Sequence, residues 1–170
     1  MIKVVICGAS GKMGGFVARA ANEDGSFQIV GGVDKVNNGQ SFPIYTKFED
    51  IKEKPDVVIN IVDATNIERN LYLSIQLIEM ERPVVIALNM MDEVSAKGDT
   101  IDVKLLSEFL NIPVVPVTAK TGEGTDEVIK EAIKQAQKGF VMEPDDLYDD
   151  FTHQIHHKID NRLPRQYEDQ

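Results

Sequence analysis

Ile2-Lys3-Val4-Val5-Ile6-Cys7-Gly8-Ala9-Ser10-Gly11-Lys12-Met13-Gly14 opens the chain, and its reading decides the fold. Ile2–Cys7 is an almost unbroken apolar run ending in glycine, the pattern of a parallel strand buried on both faces. From Lys12 the composition turns helical. The glycines between them, spaced Gly-x-x-Gly-x-x-Gly, stand in the strand–turn–helix setting of a dinucleotide loop. Gly8 permits the tight turn, Gly11 lets backbone approach a pyrophosphate, and Gly14 lets the helix pack closely. Amides at the helix start then face the phosphates. Gly8, Ser10, Gly11, Lys12, Met13 and Gly14 are therefore the expected loop contacts. Asp34 closes the next strand, where its carboxylate suits a ribose hydroxyl. Lys35 beside it suits a 2′-phosphate. This pattern predicts weak binding of NAD(P)(H).

Working outward, apolar runs at 28–34, 43–47, 57–62, 83–88 and 114–117 read as strands. The run at 43–47 begins at Pro43 and suits a sheet edge. Helical patterns fall at 12–21, 48–54, 65–80, 103–110 and 125–138. Ile67, Leu71, Ile75 and Ile78 share one face of the third. Thr125 is the expected N-cap of the last, with Val128, Ile129, Ala132 and Ile133 turned inward. Strand and helix alternate, which predicts a three-layer, doubly wound α/β domain with a Rossmann-like parallel sheet ordered 3-2-1-4-5-6. Asn37–Gln40 reads as the flexible stretch of note. The domain is expected to span 1–140. Residues 141–170 are expected to add an amphipathic helix and a frayed tail, with Leu147, Phe151, Ile155, Ile159 and Leu163 spaced by four. That stripe suits packing on the domain or a homodimer through the helix.

Composition narrows the function classes. The 170 residues fit one domain, and the net charge of −10 argues against nonspecific nucleic-acid binding. Cys7 is the lone cysteine, so an internal disulfide and a cysteine-rich metal site are excluded. There is no signal-peptide pattern and no apolar run of roughly 20 residues to cross a membrane, so a soluble, cytoplasmic protein without a membrane partner is expected. No metal is expected.

Two resemblances meet in one strand. The opening thirteen residues quoted above, with Val33-Asp34-Lys35 and Pro55-Asp56-Val57-Val58-Ile59, make residues 1–59 resemble the N-terminal part of dihydrodipicolinate reductase. That resemblance implies a nicotinamide cofactor. The segment that should follow in that family, Asp-Phe-Ser/Thr and later Gly-Thr-Thr, is missing. From Pro55 the chain instead resembles the second half of the G domain of bacterial ferrous iron transport protein B. The stretch from Pro55 to Leu73 and the run Pro83-Val84-Val85-Ile86-Ala87-Leu88-Asn89-Met90-Met91-Asp92 carry this likeness. It is strong to about Lys138 and weaker to 170. The resemblance implies that Asn89 and Asp92 form an Asn-x-x-Asp guanine-recognition element, and that Thr118, Ala119 and Lys120 form the loop that closes over the base. Together the two likenesses imply an engineered chimera with its seam near 55–60.

Catalysis is not expected. No reductase substrate domain is present, and no Gly-x-x-x-x-Gly-Lys-Ser/Thr loop occurs to hold phosphate and Mg²⁺. His156-His157-Lys158 resembles a reductase motif, but its lysine spacing is wrong. His153 and His157, four apart, read as a solvated helix face rather than a metal pair. The main reading is thus a noncatalytic chimera that keeps weak NAD(P)(H) binding. The alternative is a guanine-nucleotide binder without GTPase activity.

Overall fold

A computed structural model describes residues 1–139 of the chain. The C-terminal apolar stripe and the three histidines lie outside the described residues. In chain order the strands are β1 (Ile2–Cys7), β2 (Phe27–Val33), β3 (Ile44–Tyr45), β4 (Val57–Asp63), β5 (Val84–Asn89) and β6 (Val114–Pro116). The helices are α1 (Lys12–Asp24), α2 (Ile67–Glu79), α3 (Met91–Ala96), α4 (Val103–Leu110) and α5 (Thr125–Lys138). Single 3₁₀ turns stand at Phe48–Asp50 and Ala64–Asn66.

All six strands are parallel and lie in the order β3-β2-β1-β4-β5-β6, as the alternating pattern predicts. Helices cover both faces of the central strands. Val4, Val5 and Ile6 of β1, Val57, Val58 and Ile59 of β4, and all of Val84 to Leu88 in β5 are fully buried. Each such valine, isoleucine or leucine contributes roughly 1.5–3 kcal/mol by leaving water, which makes these three strands the core. Val17 and Ala21 of α1 and Val128 and Ala132 of α5 press on one face of the sheet. On α2, Ile67, Leu71, Ile75 and Ile78 are buried as the pattern predicts, and Ser74 is buried with them. Ser74 accepts from Asn60 Nδ2 at 2.8 Å, which satisfies the polar amide in the middle of β4.

Glycine permits close approach in β2. A Cβ on Gly32 would stand 2.7 Å from Ala9 Cβ and 2.8 Å from Ile44 Cδ1. That space lets β3 and the glycine loop crowd against β2.

Four local expectations are corrected. The helix expected over 48–54 is one 3₁₀ turn anchored by buried Phe48. Pro55 sits just beyond and disfavours helical geometry at the residue before it. The helix expected from Thr65 begins as a 3₁₀ turn, with Asp63 accepting from the Thr65 amide at 2.9 Å and the Thr65 hydroxyl at 2.6 Å. α3 was not expected, since only Val94 of its six residues is buried. Thr125 is not the N-cap of α5. Gly124 takes that place at φ +87°, and the Thr125 hydroxyl donates to Gly122 O at 2.6 Å. A Cβ on residue 124 would lie 2.3 Å from Pro116 O, so the turn into α5 requires glycine.

Candidate functional site

In an open parallel sheet, ligands bind beyond the carboxyl ends of the strands, where the winding reverses. Here β1 and β4 are the neighbours at that point. Five pieces of chain reach this rim: the glycine loop after β1, Asp34 after β2, the Asp63 turn after β4, the segment after β5 and the segment after β6.

The glycine loop has the expected turn. Gly8 sits at φ +83°, a region that side chains strain to occupy. Gly14 has no room for a side chain, because a Cβ there would stand 2.5 Å from the carbonyl oxygens of Gly8 and Ala9. Its tight packing is against the loop rather than the strand. Gly11 is exposed, adopts an extended conformation at φ −79°, and stands before α1 without a side-chain cap. Lys12 is exposed and Met13 is buried in the core, 2% accessible. Met13 is thus a packing residue.

Asp34 does not present a free carboxylate to the rim. Its Oδ2 accepts from the Ser10 amide at 2.9 Å, and its Oδ1 accepts from the Lys35 amide at 2.7 Å. The stretch expected to be flexible is laced to the same loop. The Ser10 hydroxyl donates to Val36 O, Asn38 Nδ2 donates to Ser10 O at 2.8 Å, and Gln40 Nε2 donates to Ala9 O at 3.4 Å. Sequence reading missed these contacts, though the polar run at 37–40 was the available signal. Lys35 is exposed. Beneath the loop, Cys7 is fully buried. Burial pushes its thiol from 9.0 up to about 12, and the nearby Asp34 charge adds to the rise.

On the other side, Asn89 ends β5 and Thr118 follows β6. These strands are paired, with Leu88 opposite Pro116 and the Val117 amide donating to Leu88 O at 2.9 Å. Asn89 Oδ1 accepts from the Met90 amide at 2.9 Å. Met90 is left-handed at φ +67°, a strained turn that no glycine or asparagine announced in the sequence. It leads into α3, whose first turn carries exposed Asp92. Thr118, Ala119 and Lys120 begin a small closed loop in which the Thr118 amide donates to Glu123 O at 3.0 Å and the Gly122 amide donates to Thr118 O at 2.8 Å. Thr118 and Ala119 are half-buried and Lys120 is exposed. The loop leans on α1, where the position of a Cβ on Gly122 is 3.0 Å from the Phe16 ring. The structure thus brings Asn89, Asp92 and the 118–120 loop to neighbouring strand ends. Asp34 and Lys35 stay on the far side of β1.

Among the described residues no three His, Cys, Asp or Glu side chains gather to hold a metal, and no helix is long and apolar enough to cross a membrane.

An all-parallel, six-stranded α/β sheet with these rim elements defines a nucleotide-binding type of fold. A structure described as the FeoB G-domain from Methanococcus jannaschii superposes with a TM-score of 0.62 at 29% identity, covering 80% of this chain and 97% of that one. A mutant of S. thermophilus NFeoB bound to GDP superposes with a TM-score of 0.67 at 27% identity, covering 97% of this chain and 75% of that one. Residues 46–132 match the sequence profile of ferrous iron transport protein B. The chain belongs to the ferrous iron transport protein B family. The Fe(2+) transport protein A/Fe(2+) transporter FeoB fusion protein of Porphyromonas gingivalis is 55% identical over 80 residues, which are 47% of this chain and 10% of that protein. The chain therefore spans about a tenth of the length of the curated relatives it matches.

These likenesses overturn the NAD(P)(H) expectation. A solved relative carries GDP in its description, and the match falls on the G domain of the family. Asp34, read from the sequence as a ribose ligand, accepts from the Ser10 and Lys35 amides.

Proposed function

We propose that this domain recognises a guanine base, with Asn89 and Asp92 on one side and the Thr118-Ala119-Lys120 loop on the other. The observation that carries the reading is the pairing of β5 with β6, which sets the two segments side by side at the strand ends. The exposed Asp92 carboxylate offers two acceptor oxygens, matching the ring N–H and exocyclic NH₂ of guanine. Asn89 holds the turn by accepting from Met90. Lys120 supplies a stem to lie over the ring. Family membership and the GDP-bound relative support the same reading.

Hydrolysis is not part of this proposal. The sequence has no Gly-x-x-x-x-Gly-Lys-Ser/Thr loop, so charge developing on a γ-phosphate would lack its lysine and Mg²⁺ partners. Malachite-green assays should show no phosphate release from GTP above the buffer rate. For base recognition, thermal unfolding with GDP should rise by a few degrees, ADP should leave it unmoved, and Asp92→Ala should remove the GDP effect. An equal response to ADP would overturn base recognition.

The finer origin of the chain belongs to this reading too. We propose a joined chain with residues 1–59 of dihydrodipicolinate reductase type and a seam near 55–60; the family match leaves 1–45 outside it and overlaps 46–59. A natural genome carrying both segments in one uninterrupted reading frame would end the engineered version of that idea.

A further inference from the structure

We infer that the open edge of the sheet takes an extended, cationic peptide of another protein, which lies along β6 in a groove walled by glutamates. The inference is independent of the guanine reading.

β6 stands last in the strand order, and among the described residues no strand lies on its outer side. The Ile86 amide donates to Pro113 O at 3.0 Å and the Val117 amide donates to Leu88 O at 2.9 Å. This register turns the peptide groups of Pro113, Val115 and Val117 toward β5. Successive residues of a strand alternate in direction, so the N–H and C=O of Val114 and the C=O of Pro116 face the open side. One step earlier, the Ile112 carbonyl already accepts from the Ser107 hydroxyl at 2.6 Å. The free edge thus offers one donor and two acceptors to an incoming strand. Sheet edges take extended peptides by such main-chain pairing, and flanking side chains set the choice of sequence.

Ile112 to Pro116 line an open groove of about 540 Å³, together with residues of α4 and α5. α5 shares its face of the sheet with α1, and the right-handed crossover from β5 to β6 puts α4 on the other face. Glu108 of α4 stands on one wall and Glu127 and Glu131 of α5 on the other, and no lysine or arginine lines the groove. Glu108 and Glu127 are exposed. Glu131 is half-buried and meets Lys134 Nζ at 3.3 Å. The balance is negative on both walls. Side chains of an added strand alternate between the two faces, so basic residues on either side of the peptide meet a glutamate. Charge also fixes the kind of partner. A second copy would bring the same glutamates and a net charge of −10, and like charges facing each other repel.

The probe is a short, end-blocked, fluorescein-labelled peptide of lysine and valine, titrated with the full chain by anisotropy at about 50 mM salt. It should bind. Glu108→Gln, Glu127→Gln and Glu131→Gln together should weaken it about tenfold or more. Glu23, Glu49 and Glu79 are exposed and do not line the groove. The same change at those three should weaken binding less than about twofold. N-methylation of every peptide amide keeps the positive charge and removes the donors, and should cost about fivefold or more. Thermal unfolding of both triple variants checks that they fold, and the N-methylated peptide tests the edge on unaltered protein. Absence of binding overturns the proposal. So does an equal loss from the two glutamate sets, or an N-methylated peptide that binds as well as its parent, either of which reduces the effect to overall charge. A dimer in analytical ultracentrifugation that is abolished by the groove variant overturns it in favour of a second copy.

Discussion

Gly14 sits in the first turn of α1, where any side chain would press into the carbonyl oxygens of residues 8 and 9 at 2.5 Å. Both are backbone atoms, so relief would need the loop to move. Gly14→Ala should cost on the order of 2–4 kcal/mol in urea unfolding, against the usual gain for alanine in a helix. Unchanged stability would mean that loop and helix part easily. Cys7 gives a pH signature. Its thiol is raised from 9.0 to about 12 by burial first and the Asp34 charge second, so the folded state keeps its proton where the unfolded state loses it. That contribution is complete below about pH 9 and falls away as pH rises to about 12, at roughly 1.4 kcal/mol per unit for this one group. Cys7→Ala should flatten the alkaline loss of stability between about pH 9 and 10.5, measured by denaturant midpoints. Parallel curves for the two proteins would refute that assignment. At this scale the turn at Gly8 was legible, because spacing fixes a strand–turn–helix glycine, whereas Gly14 packs on the carbonyls of the loop and not on the strand. The role of Asp34 was not. Its partner Ser10 lies 24 residues away in the chain, and a carboxylate reads the same whether it faces a ribose or an amide.

Elements follow their caps as much as their faces. α4 is capped at its N-terminus by Asp102, whose Oδ1 accepts from the Leu105 amide at 3.0 Å. Asp102→Ala should lower stability by about 1 kcal/mol, and Asp102→Asn should recover most of it. A null result for the alanine would indicate that water caps the helix as well. The long elements were read from periodicity, since a buried stripe must repeat with the helix or strand. Val103–Leu110 and Thr125–Lys138 agree with the pattern at both ends. Short elements escaped it. Six residues of α3 with a single buried side chain carry no measurable period, and the left-handed Met90 that launches them follows no local preference. The turn at Phe48–Asp50 shows the opposite error. An amphipathic look over seven residues was stopped by the proline that follows.

At the scale of the whole molecule, β4 joins the two parts of the chain by pairing with β1 on one side and β5 on the other. A fragment of residues 46–139 keeps the family-matched span but loses β1, α1, β2 and β3. It would expose one edge of β4 and the apolar face under α1. That fragment should show collapsed amide dispersion in NMR and lose cooperative unfolding, whereas residues 1–139 should melt in one transition. A folded fragment would show that the opening segment is dispensable. What the sequence by itself determined is the class of fold and the strand order, together with the residue types at both rims. Apolar periodicity and handed crossovers leave few ways to wind such a sheet. It could not rank the rims. Only the tertiary structure put the Asp34 carboxylate on the Ser10 amide and laid β5, which ends at Asn89, beside β6, which leads into the 118–120 loop, because these are hydrogen bonds and strand pairings between residues far apart in the chain, decided once the strands had taken their places.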